Sequence, residues 1–87
     1  MPLSAQDALR QARSDIEAAR KARGSKHTVI KRYRAAKKAL DKVDDEETDT
    51  ASLREMIVAF EDLAEVLDQS GDQERVEKCR KRAETLR

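Results

Sequence analysis

Eighty-seven residues make one small domain and leave no room for a second; with 43% of them charged and only 2% aromatic, folding has to rest on the spacing of its apolar positions. Two Gly, one Pro and abundant Ala, Leu, Glu, Lys and Arg favour helix and exclude a sheet of any size. The single cysteine excludes an internal disulfide, and the chain has neither a signal-peptide core nor an apolar run long enough to span a bilayer; the expected setting is a reducing, cytoplasmic one with no membrane anchor.

In chain order, Ser4 is placed to cap a first helix over about residues 5–23, with Asp7 three positions on at capping-box spacing. Its buried stripe reads Ala5, Ala8, Leu9, Ala12, Ile16 and Ala19. Gly24-Ser25 breaks it. A second helix, about 26–43, buries Val29, Tyr33, Ala36, Leu40 and Val43 with Ile30 beside them, and the short connection predicts that it runs antiparallel to the first. The run of like charges from Asp44 to Asp49 predicts a solvated acidic loop.

A third helix, about 50–69, is expected to be capped by Thr50, or by Ser52 with Glu55 in capping-box spacing. It carries the strongest apolar face: Leu53, Met56, Ile57, Phe60, Leu63, Ala64 and Leu67. Gly71 ends it, and Asp72 caps a fourth helix, about 72–86, with Val76, Cys79, Ala83 and Leu86 at helical spacing. The fold expected is therefore all-α, an antiparallel bundle of four helices in two hairpins forming a single domain over residues 1–87. Helix-favouring sequence continues to the last residue, which suggests a domain cut from a longer protein.

The second hairpin resembles a known family. Phe60, Leu63, Ala64, Leu67, Gly71-Asp72, Val76 and Ala83 stand at the spacing of the tetratricopeptide repeat, in a match covering roughly residues 53–86. Departures are Val76 in place of a small residue, Arg80 in place of an aromatic one, and no terminal Pro. In the first hairpin Gly24, Val29 and Ala36 repeat the mutual offsets of Gly71, Val76 and Ala83, and Tyr33 takes the aromatic place that Arg80 lacks. The two glycines are 47 residues apart, against the family period of about 34, so the chain is tetratricopeptide-like and degenerate. The resemblance implies a scaffold that presents a helical face to a peptide or partner domain, and no chemistry.

Charge is striped along the chain. Residues 1–43 hold twelve Lys and Arg against four Asp and Glu, residues 44–74 one against twelve, and residues 75–87 six against two. Lys31, Arg34, Lys38 and Lys42 form a line at three- and four-residue steps on the second helix, flanked by Arg32 and Lys37. These four are the candidate partner-binding residues, competing with the plainer reading of a solvated face that complements the acidic third helix. Nucleic acid is disfavoured by a pI of about 7.9, two aromatics to stack on bases, and the lack of a helix-turn-helix or zinc pattern.

Residues suited to catalysis are few. His27 stands alone among polar residues, Cys79 falls on an apolar stripe, and paired acids such as Glu61 and Glu65 lack the two Glu-x-x-His pairs of a di-iron bundle. No Gly-rich phosphate loop or nucleophile elbow is present. No catalytic, cofactor or metal site is therefore expected. The function expected is protein or peptide binding as an adaptor. The alternatives are a homo-oligomer that pairs complementary charged stripes between copies and, third, a basic-face nucleic-acid binder.

Overall fold

The computed structural model describes residues 4–87, and within them the chain is all-α: α1 (Ala5–Lys21), α2 (Lys26–Asp41), α3 (Thr50–Gln69) and α4 (Gln73–Leu86), with one 3-10 turn (Asp45–Glu47) between α2 and α3. No strand occurs among the described residues.

Three of the four helices, α1, α3 and α4, start where a side chain satisfies a free N–H group; at the start of α2 the Ser25 hydroxyl pairs instead with that of Thr28 at 3.0 Å. Ser4 Oγ accepts the Asp7 N–H at 3.2 Å, while the Asp7 carboxylate turns to Arg10 at 3.7 Å. The cap of α3 is Asp49, whose Oδ2 accepts the Ser52 N–H at 3.2 Å. Neither Thr50 nor Ser52 takes that place: Ser52 lies buried within the first turn, where its hydroxyl accepts a hydrogen bond from Gln6 at 3.3 Å. Hydrogen bonds from Ser52 to the Asp49 carboxylate, from the hydroxyl first and then from the backbone N–H, hold the Asp49 carboxyl below its usual range.

The sequence places the ends of α1 and α2 two residues too late. The helical pattern of α1 stops at Lys21, and Ala22 turns the chain by accepting the Ser25 N–H at 2.8 Å. Beyond Asp41 the backbone of α2 tightens, with Lys42 and Val43 bonded to Ala39 and Leu40 at 3.3 and 3.2 Å, which still delivers Val43 into the core. The acidic segment is also more ordered than a simple solvated loop. Asp44 gathers it, its carboxylate taking the Glu46 N–H at 3.0 Å and its carbonyl taking the Thr48 hydroxyl at 2.6 Å.

The turn between α3 and α4 is built from one pair of residues. Gly71 adopts φ 78°, which lets its N–H reach Asp68 O and the Asp72 N–H reach Leu67 O, each at 3.0 Å; this closes α3 in a Schellman arrangement. Asp72 then opens α4, accepting the Arg75 N–H at 3.3 Å and its guanidinium at 2.7 Å. Burial of Asp72 opposes its charged form, but the hydrogen bonds and charge of Arg75 outweigh this and hold its carboxyl below the usual range.

Gly24 differs from Gly71: its φ is not positive, and nothing lies within 4 Å of an added Cβ at either glycine. Gly71→Ala is accordingly expected to cost about 1–2 kcal/mol through φ alone, whereas Gly24→Ala gains a few tenths to about 1 kcal/mol by restricting the unfolded chain. Thermal unfolding followed by circular dichroism should show the midpoint falling for the first variant and rising for the second.

All four helices share one core. The largest fully buried side chains include Phe60, Met56, Leu63 and Leu67 of α3, Leu40 and Val29 of α2, and Val76 and Cys79 of α4. Packing is most extensive within the pairs α1/α2 and α3/α4; α1 also lies on α3, and α2 touches α3 more lightly, so α3 meets every other helix. Ala8, Ala12, Ala19 and Ala36 are wholly covered, and side chains this small let α1 and α2 approach closely.

Candidate interaction surfaces

Position α2 by its buried residues and the basic line follows. Val29, Tyr33, Ala36 and Leu40 face the core, which turns Lys31, Arg34 and Lys38 to the opposite side, with Lys42 just past the helix end; all four are exposed. None of the four makes an ion pair among the described residues. Their flanking cations are occupied: Arg32 Nη1 reaches the buried Asp15 at 3.2 Å, and Lys37 Nζ reaches Asp41 at 2.7 Å. The Lys37–Asp41 hydrogen bond raises the Lys37 pKa above its ordinary value.

The acidic helix α3 takes its cations from elsewhere. Arg13 meets Glu55 and Arg20 meets Asp62, both at 3.7 Å from α1, while Arg87 meets Glu61 at 3.2 Å from the end of α4. The basic line on α2 therefore does not complement α3. Each of these exposed pairs contributes roughly 0–1 kcal/mol, so they add little to the stability of the fold.

The second surface was not singled out by the sequence. Leu53, Ile57 and Leu86, read as core positions, are only half-buried. With Thr50, Arg54, Val58 and Arg87 they line a predominantly apolar groove of about 420 Å³ between the first half of α3 and the last turn of α4. Val58, at 52% exposure, is the one large apolar side chain that is exposed among the described residues. Further along the same helix pair lies an acidic trough of about 650 Å³, walled by Glu61, Asp62, Glu65, Asp68 and Glu84 together with Arg80 and Arg87. The signal available in the sequence was the width of the α3 apolar arc, with Val58 off the stripe altogether.

Candidate chemical groups are dispersed. His27 is exposed at the start of α2. Cys79 is buried, and burial, only partly offset by Lys37, pushes its thiol up to about 12. Tyr33 is likewise buried, which raises its phenol above the ordinary value. Among the described residues no group of three or more His, Cys, Asp or Glu is placed to hold a metal ion, and no helix is long and apolar enough to cross a membrane. Compared with protein-family models, curated proteins and solved structures, the chain matches none.

Proposed function

We propose that the protein is a non-catalytic interaction module that binds another protein through its α3–α4 face. The observation that carries this reading is the apolar groove of Leu53, Ile57 and Leu86 with exposed Val58 on its rim, since side chains of this kind gain most when a partner covers them. The Schellman turn at Gly71-Asp72 and the small Ala64 and Ala83 agree with the tetratricopeptide-like reading, in which antiparallel hairpins serve as a scaffold. The condition of Cys79, buried and protonated far above neutral pH, supports a role without thiol chemistry.

Lys31, Arg34, Lys38 and Lys42 form in this proposal a separate partner-binding surface on α2 that draws acidic segments and takes no part in binding at the α3–α4 groove; exposed cations of this kind affect the rate of encounter more than the strength of a complex. One observation favours a second reading: the exposed basic line on α2 and the acidic trough on α3–α4 are complementary, as a head-to-tail homo-oligomer would require.

A photo-reactive phenylalanine analogue placed at position 58 separates the two in the cells that make the protein. The proposal expects crosslinks to a different protein; crosslinks only between copies of this chain favour the homo-oligomer, and a chain that captures neither contradicts both.

A further inference from the structure

We infer that the α3–α4 face receives a cationic amphipathic helix of a partner protein, its apolar turn seated over Leu53, Ile57 and Leu86 and its lysines or arginines lying along the acidic trough. The inference rests on the interaction-module reading and gives it a partner chemistry.

The two depressions form one track. Arg87 borders both, and its ion pair with Glu61 at 3.2 Å marks the boundary between them. On α3 the lining passes from Leu53, Ile57 and Val58 to Glu61, Glu65 and Asp68 on successive turns. At about 1.5 Å per residue, the distance from Leu53 to Asp68 is about 22 Å, the length of a helix of four turns. The protein offers no sheet edge along this face, so a strand cannot be added there, while a groove between two helices accepts the ridge of a third.

Charge selects the occupant. The trough presents five carboxylates against Arg80 and Arg87. Asp62 is shared with Arg20 and Glu61 with Arg87, but Glu65 and Glu84 have no cation among the described residues. Phosphate-rich partners, nucleic acid or an anionic lipid surface, are repelled by such a wall. A second copy of this chain fits poorly as well: its exposed basic line on α2 carries no large apolar side chain at Lys31, Arg34, Lys38 or Lys42 to fill the apolar end. A partner helix carrying both features satisfies the whole track.

The test is fluorescence anisotropy of the full chain with a labelled alanine-based helical peptide of about fourteen residues, leucines on its first turn and lysines along the same face beyond, against a matched peptide with glutamates replacing the lysines. The lysine peptide should bind at least about tenfold more tightly, the equivalent of one or two exposed ion pairs. Replacing the two exposed acids together, Glu65→Lys with Glu84→Lys, should weaken it by about tenfold, and Val58→Ser by several-fold, with helicity by circular dichroism unchanged. Lys31→Glu with Arg34→Glu, on α2, should leave it intact. Equal binding of the two peptides, no binding of either, or indifference to the Glu65 and Glu84 changes overturns the inference. A partner crosslinked at position 58 despite such a result leaves the interaction-module reading standing and removes only the cationic helix.

Discussion

Phe60→Ala is expected to remove a large share of the stability of this protein. Phe60 is fully buried at the centre of α3, the helix that touches the other three, and it borders Tyr33 and Cys79 in the cleft between α2 and α4. Deleting a buried phenyl ring costs about 3–5 kcal/mol through lost burial and the void left behind. A domain of this length has only about 4–13 kcal/mol in total, from typical values per residue. Urea unfolding monitored by circular dichroism should show the midpoint falling by roughly a quarter or more with little change in slope. Val58→Ala, two positions away and on the exposed face, is the control and should move stability by no more than about 0.5 kcal/mol. A mild Phe60→Ala would mean that the core does not depend on α3.

Alkaline solution should destabilise the protein through the second largest effect, the burial of Cys79. Below pH 9 the thiol is protonated whether the chain is folded or unfolded, so it adds no pH dependence. Above its ordinary value of 9.0 the unfolded chain releases the proton, whereas the folded chain retains it to about 12. Stability is thus fully present below pH 9 and lost progressively as pH rises toward 12. The gap corresponds to about 4 kcal/mol when complete. Burial of Tyr33 acts in the same sense above its own ordinary value of 10.0.

Urea titrations at intervals from pH 8 to 11 should therefore show steadily falling midpoints. Cys79→Ala should begin lower at pH 8, because a buried sulfur is lost, and decline less steeply. Parallel curves for the two proteins would show that the thiol is reached by solvent in the folded chain. Labelling by a thiol reagent at pH 8 gives an independent reading: it should be slower in the folded protein than in urea by about a hundredfold or more.

What was legible in the sequence follows the range of the interactions involved. Ser4, Gly71 and Asp72 could be assigned because a cap or a Schellman turn involves residues only three to five positions apart. The buried stripes were also legible, since three- and four-residue spacing fixes which side of a helix an apolar residue occupies; Ala8, Leu9, Ala12, Ile16 and Ala19 all reach the core. Asp49 was lost inside a run of like charges, where nothing local distinguishes the acid that caps α3 from its solvated neighbours.

The remainder depends on tertiary placement. Asp15 is buried because α2 brings Arg32 to it, a contact across 17 residues, and Ser52 because α1 brings Gln6 to it across 46. Leu53, Ile57 and Leu86 carry the spacing of core residues, yet they line an open groove between α3 and the last turn of α4, and spacing alone cannot register what fails to cover a face. The basic line on α2 was legible as a line. That Arg32 and Lys37 are paired at home, while Lys31, Arg34, Lys38 and Lys42 make no ion pair among the described residues, depends on where the fold places Asp15 and Asp41.

The central claim is that the α3–α4 face is the working surface of the molecule. Its most direct test is a titration of isotope-labelled protein with the lysine-bearing helical peptide, followed residue by residue through backbone amide resonances. The account predicts that shifts concentrate on Leu53, Ile57, Val58, Glu61, Glu65 and Leu86 and spare Lys31, Arg34 and Lys38. Shifts centred on α2, or spread evenly over all four helices, would contradict it.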